Sequence, residues 1–255
     1  MNIIACYKIV PEEQDIKVNS DRSLSFDKAE WKLSLYDLNA VEAGMQIKEA
    51  VGGKVTALSI GDKQLENSKL KKAILSRGPE DLYLVSDDSL SGADTHRTAQ
   101  TLALAAEKIG FDLILCGEGS SDLYAQQVGI QLGELLKVPT INSVSKITPQ
   151  AGSVIVERTL DDEVEVLEIT LPAVISVTSN INETRIPGMK EILAAGKKPV
   201  TEWKGADLGL QPYKGQTEVL STLAPKQTDR KRILFEGDSE ENIKALFENL
   251  RKELK

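Results

Sequence analysis

FDLILCGEGSSDLYAQQVGIQLGELL, residues 111–136, reads as a strand, a glycine-containing loop and a helix in immediate succession. The strand spans 111–116. Gly117 and Gly119 let the backbone turn tightly and come close to a ligand. Ser120, Ser121 and Asp122 are residue types that cap helix N-termini. The free N–H groups of the helix's first turn, at the positive end of its dipole, would hold a phosphate. Gln126 and Gln127 could hydrogen-bond a base or a ribose. Asp122 would repel a phosphate if it faced inward, so it is expected to cap backbone or meet a hydroxyl. The loop lacks the lysine of a P-loop and the full G-x-G-x-x-G spacing. A capped turn with no ligand therefore stands as the alternative reading.

The same grammar repeats upstream. Strands are expected at 2–10, 55–60 and 82–85, and helices at 35–51, 65–75 and 95–109. The first helix places Leu38, Val41 and Met45 on one face and ends at Gly52-Gly53. Ser34 and Asp37 have the spacing of a capping-box variant. The third helix turns Leu102, Ala106 and Ile109 inward. Alternating strands and helices imply a parallel sheet with helices on both faces, an α/β sandwich. Ligands in such sheets sit beyond the carboxyl ends of the strands. That rule selects the loops after Cys6, Ile60 and Cys116.

From Ile141 the pattern changes. Segments 153–160 and 164–171 alternate about Asp161-Asp162-Glu163 as an antiparallel hairpin, and 171–177 returns to a buried strand. Residues 181–227 show little periodicity and are too many for a loop inside a compact domain. They are expected to form an arm lying on something else. The segment 239–254 is an amphipathic helix carrying Ile243, Leu246, Phe247 and Leu250. The chain thus divides into an α/β domain, 1–180, and a C-terminal arm with a terminal helix, 181–255.

A net charge of -8 over 255 residues argues against nucleic acid as a partner, because phosphate tracks need a basic face. Lys69-Leu70-Lys71-Lys72, Lys197-Lys198 and Arg230-Lys231-Arg232 read as solvated surface. The start, MNIIACYKIV, is too short to span a bilayer and lacks a basic leader. A soluble cytoplasmic protein with no membrane insertion is expected. Cys6 and Cys116, far apart in sequence and without C-x-x-C spacing, read as buried reduced thiols. The single histidine, His96, beside Asp94, reads as a cap or surface residue. With so few ligands, zinc chemistry or a Ser/His/Asp relay has little to build on. Redox work would therefore need a bound cofactor.

VERTLDDEVEVLEITLPAVIS, residues 156–176, carries a family signature: Arg158, the acidic run 161–163, Glu165, Leu167, then Pro172 ahead of Val174-Ile175. With CYK (6–8), YDLNAVEA (36–43), ALSIG (57–61) and GEGSSDLYAQQVG (117–129), the chain resembles the electron transfer flavoprotein beta subunit over nearly its whole length. PEEQD (11–15), LSRGP (75–79) and SSDLYAQQVG (120–129) are most similar to the Fix-type branch, associated with carnitine reduction and nitrogen fixation.

The resemblance implies a parallel-sheet sandwich of the adenine-nucleotide-binding, Rossmann-like type, with an added antiparallel hairpin and a C-terminal arm that wraps a partner. It implies a heterodimer whose alpha subunit holds FAD. The beta subunit buries AMP in one-flavin members and a second FAD in bifurcating ones. By position, the nucleotide would meet the Cys6 backbone, Ser34, Leu35, Tyr36, Asp37 and Ile60. Gly117, Glu118, Gly119, Ser120, Ser121, Asp122, Leu123, Tyr124, Ala125, Gln126, Gln127 and Val128 would wrap its phosphate. These are the loops selected above by the strand-end rule. Leu123 and Tyr124 stand where both types of member carry small or acidic residues, so AMP and FAD both remain open. The family also docks on its electron donor through a loop, matched by NETRIPGMKEIL (182–193), with Met189 at the anchor position.

The expected activity is electron carriage with no general acid, no general base and no metal. The expected redox partner is an acyl-CoA dehydrogenase-like flavoenzyme or a ferredoxin- or quinone-linked protein. The alternative is a stand-alone adenine-nucleotide-binding regulator similar to universal stress proteins, which would not need the long arm. An ATP-pyrophosphatase-like enzyme would want an S-G-G-x-D-S-type loop after the first strand, where this chain has KIVPEEQD (8–15).

Overall fold

The computed structural model describes residues 1–215, 217–226 and 231–254. Arg230 of the basic run, and the last residue of the expected arm segment, lie outside them. Nine strands form one sheet: β1 (Asn2–Cys6), β2 (Lys54–Gly61), β3 (Asp81–Ser86), β4 (Leu113–Gly117), β5 (Thr140–Pro149), β6 (Ser153–Thr159), β7 (Val164–Thr170), β8 (Ala173–Val177) and β9 (Val200–Trp203). Their spatial order is β7-β6-β5-β8-β4-β1-β2-β3-β9. From β5 across to β9 every pairing is parallel, and β6 and β7 add an antiparallel hairpin at one edge. This is the expected α/β, Rossmann-like architecture with its added hairpin.

The helices are α1 (Leu35–Val51), α2 (Ser68–Leu75), α3 (Thr95–Ile109), α4 (Val128–Leu136), α5 (Met189–Ala195) and α6 (Glu240–Glu253). Strand parity divides the core between the two sheet faces. Ile3, Ala5, Val55, Ala57, Leu113 and Leu115 share one buried cluster with Leu38, Val41 and Met45 of α1. Ile4, Cys6, Leu58, Ile114, Cys116 and Val174 share the other with Leu102 and Ala106 of α3 and Leu132 of α4. Both faces are covered, which explains why β1, β4 and β8 are nearly continuous apolar runs. Each fully buried Ile or Leu contributes about 1.5–3 kcal/mol.

Four expectations are corrected. The strand at 2–10 is two strands: β1 stops at Cys6, and Ile9–Pro11 pairs antiparallel with Trp31–Leu33 in a separate ribbon. The helix at 65–75 begins as a 3-10 turn, Lys63–Glu66, because Asp62 caps Gln64 N–H (3.0 Å) and Asn67 then caps Lys69 N–H (2.9 Å) to start α2. No capping box forms at α1: Ser34 is the N-cap residue but makes no side-chain capping bond. Residues 181–227 contain α5 and β9. The Lys198 ammonium secures that stretch by donating to the Leu75, Gly78 and Pro79 carbonyls at 2.8, 3.1 and 2.7 Å.

Residues 1–17 and 25–221 form one compact unit, and 18–24 with 222–255 form a second. In the second unit Ser23 bridges Leu223, and Ala224 N–H donates to the Arg22 carbonyl at 2.9 Å. Its helix α6 is capped by Ser239, whose hydroxyl accepts from Asn242 N–H. Ile243, Leu246, Phe247 and Leu250 of α6 are all exposed.

Candidate functional site at the carboxyl ends of the central strands

β1 lies between β2 and β4. The chain leaves β1 through α1 on one face and reaches β4 through α3 on the other. The order of strands reverses there, and in sheets of this kind the ligand crevice lies beyond such a reversal, here past Cys6 and Cys116. The pairing of Ala5 with Leu115 carries on to set Cys6 beside Cys116. The neighbouring Cys116 thiol, distant in sequence, with burial behind it, pushes the Cys6 pKa up. Both are free, buried thiols, and Cys6 stays protonated near neutral pH.

The first turn of α1 presses on the end of β4. A Cβ on Gly117 would lie 2.6 Å from Asp37 Oδ1 and 2.8 Å from the Tyr36 carbonyl carbon. Glycine is needed here for helix–strand approach, and Gly117 does not adopt a left-handed backbone. Asp37 is buried and accepts from Lys8 N–H at 2.8 Å. Burial pushes its pKa up to about 7, against the opposing bonds from Lys8 N–H, Ser34 and Gly117 N–H. Ser121 Oγ accepts from Leu35 N–H at 3.0 Å, and Ser34 Oγ accepts from Ser121 N–H at 3.3 Å. The loop after β4 therefore supplies part of α1's cap.

The Lys8 ammonium, two residues past β1, meets Asp122 at 2.6 Å. Burial alone would raise the Asp122 carboxyl, but Lys8 and neighbouring donors outweigh it and hold it below the usual range. Tyr124 (φ 47°) lays its ring 5.0 Å from that of Tyr36. A Cβ on Gly119 would lie 2.5 Å from the Tyr124 ring, so Gly119 makes room for it. Gln126 is also left-handed, with φ 56°.

The helix expected to start near Ser120 starts at Val128 instead. Ser120, Ser121 and Asp122 do not cap it, because Ser121 and Asp122 are engaged by α1 and Lys8. Gln127 is the N-cap residue and makes no side-chain capping bond. Its amide oxygen accepts from the Thr95 hydroxyl at 2.8 Å, tying α4 to α3. Gly129 packs α4 against β8, where a Cβ would lie 2.2 Å from Ser176 Oγ.

The structure thus joins the residues from Ser34 to Asp37 to the loop 117–128 and sets both beside the end of β1. Glu118 N–H continues toward β8, donating to the Val177 carbonyl. Ile60 stands at the end of the adjacent strand β2, while Leu35, Leu123 and Ala125 are exposed. Lys8 and Thr95 were not among the expected site residues. The signal for Lys8 was a cation just past an apolar strand, in CYK.

Met189 lies outside this cluster, as the first residue of α5, with 72 % of its surface exposed, and Ile186 before it is 93 % exposed. The segment leading to them is fastened to α1. Asn39 Nδ2 donates to the Asn182 carbonyl at 3.0 Å, and Asn182 Nδ2 donates to the Asn39 carbonyl at 3.1 Å. Arg185 donates to Glu42 Oε2 from Nε (2.6 Å) and to Oε1 from Nη2 (3.0 Å), and to Glu49 from Nη1 (3.0 Å).

His96 is half-buried, with its ring 6.2 Å from that of Tyr213, and Asp94 is the residue that caps α3. Among the described residues no group of three His, Cys, Asp or Glu could hold a metal ion. None of their helices is long and apolar enough to cross a membrane.

A family model described as the electron transfer flavoprotein domain matches residues 23–208. The chain belongs to the electron transfer flavoprotein family. Members of this family are flavin-associated electron carriers rather than enzymes that transform a substrate. The matched stretch holds the residues from Ser34 to Asp37, the loop 117–128 and the segment with Arg185 and Met189. Cys6 and Lys8 precede it.

Proposed function

We propose that the chain is the beta-type subunit of a heterodimeric electron transfer flavoprotein, and that an adenine nucleotide occupies the crevice beyond β1 and β4. The observation that carries this reading is the meeting of two loops at the strand-order reversal, where α4 begins without a side-chain cap. Helix N-termini of this kind favour phosphate. The fit is supported by the Lys8 cation and by the paired Tyr36 and Tyr124 rings. The first turn of α4 and the loop 117–128 would hold the phosphate. Ser34, Tyr36, Asp37 and the Cys6 backbone would line the nucleoside side, with Ile60 at its margin.

The flavin supplies the electron-carrying chemistry when bound, and FAD is assigned mainly to the alpha-type partner. This subunit would hold AMP or a second FAD. Its own residues would bind the nucleotide, exclude water from it and present Met189 and Ile186 to a redox partner, an acyl-CoA dehydrogenase-like flavoenzyme or a ferredoxin- or quinone-linked protein. The exposed apolar face of α6 is the surface assigned to the alpha-type subunit. Co-expression with an alpha-type subunit tests this reading. A yellow one-to-one complex that an acyl-CoA dehydrogenase or a ferredoxin can reduce is expected. A colourless homodimer holding ATP would place the chain among nucleotide-dependent regulators instead.

A further inference from the structure

Lys8 and Asp122 come from separate loops. Their side chains meet at 2.6 Å while remaining 43 % and 23 % exposed. The Lys8 end of the pair stays open to water, which limits the net stability that the pair adds. Such a pair is easily exchanged for another with a better anion. Around it, Ser121 supplies an oxygen to the first N–H of α1, and the Tyr124 ring lies over Gly119 and beside Tyr36. The loop's own oxygens thus occupy the Lys8 ammonium and the first N–H of α1. Asp122 offers Lys8 what a phosphate oxygen would offer, but with a single charge.

We infer that Lys8 is a phosphate-binding residue of the crevice and that Asp122 is its resident counter-ion, displaced when the phosphate of an adenine nucleotide arrives. This rests on the nucleotide reading above and adds to it a specificity-determining cation. Asp122 then works against binding, although it sits in the middle of the binding loop. A doubly charged phosphate with several acceptor oxygens outcompetes the carboxylate for the ammonium. Adenosine, with no phosphate, leaves the pair intact.

The test is calorimetric titration of the nucleotide-stripped full chain, with any partner subunit it retains, using AMP and adenosine. For Lys8→Met, AMP affinity should fall about tenfold or more, the worth of one charge-assisted hydrogen bond. Adenosine affinity should stay within about twofold. Lys8→Arg should restore much of the loss. For Asp122→Asn, which removes the competing charge and keeps the shape, AMP should bind a few-fold tighter and adenosine should not change. Unchanged AMP affinity in Lys8→Met, with the wild type still preferring AMP over adenosine, overturns the inference and leaves the nucleotide reading standing. Weaker AMP binding in Asp122→Asn overturns the counter-ion role. A wild type that binds neither AMP, adenosine nor FAD overturns the nucleotide reading and the inference together. If Lys8→Met loses its native circular dichroism, Asp122→Asn decides by the sign of its effect.

Discussion

Arg185→Ala removes the clamp between the exposed segment around Met189 and helix α1. The Glu42 side chain is only 7 % exposed and Arg185 meets it through two nitrogens, with a third reaching Glu49. Burial would raise the Glu42 carboxyl, yet the guanidinium outweighs it and holds Glu42 below its usual range. Removing one partner of a fully buried pair costs about 3–5 kcal/mol, because the other charge is left without compensation. The Arg185 side chain is 32 % exposed, and water can reach the vacated place. That lowers the expected loss to about 2–3 kcal/mol. Urea unfolding followed by circular dichroism, with Arg185→Ala, Glu42→Ala and the double variant, isolates the coupling. The tether Asn39–Asn182 survives in Arg185→Ala, so the fold should persist while the segment after 185 loosens. In electron transfer from an acyl-CoA dehydrogenase, KM should then rise with kcat nearly unchanged. A coupling below about 0.5 kcal/mol, typical of a solvated surface pair, would refute the clamp.

Gly117→Ala should cost about 1–3 kcal/mol by overpacking, since its Cβ would meet Asp37 and the Tyr36 backbone rather than a movable side-chain tip; a denaturation midpoint equal to wild type would count against the close approach. Asp37 has a folded pKa of about 7 against an ordinary value of 3.8. The folded state therefore keeps a proton that the unfolded state has released, and stability attributable to Asp37 is full below about pH 4 and lost as pH rises to about 7. Unfolding free energies of wild type minus Asp37→Asn should fall across that window; a flat difference would contradict the assignment. Phe247→Asp on α6 should abolish heterodimer formation in size-exclusion chromatography without changing helix content. Persistence of the heterodimer would remove α6 from the partner surface.

Most of the sheet was legible because strands buried on both faces leave unbroken apolar runs, and α1 and α3 were legible because their apolar stripes are long. What escaped depended on partners distant in sequence. Nothing near Lys8 shows that its N–H belongs to Asp37, so the break after Cys6 was invisible. Ser120-Ser121-Asp122 has the composition of a helix cap, but Ser121 serves Leu35 and Asp122 serves Lys8, which delays α4 until Val128. β5 was missed because its residues are largely polar, and Ser143 takes a left-handed backbone (φ 58°) near the register shift against β8. β9 is a four-residue edge strand in a Lys- and Gly-rich stretch, and its attachment through Lys198 is tertiary. The adjacency of Cys6 and Cys116 likewise follows from strand order, which local spacing does not encode.

An adenine nucleotide held by this chain within a flavin-carrying heterodimer can be counted: the chain is purified with its alpha-type partner, the complex denatured, and the released nucleotides quantified by chromatography. Stoichiometric adenine nucleotide beyond the partner's FAD is expected, as one AMP with one FAD or as two FAD per heterodimer. FAD alone at one per heterodimer, with no second nucleotide, would contradict it.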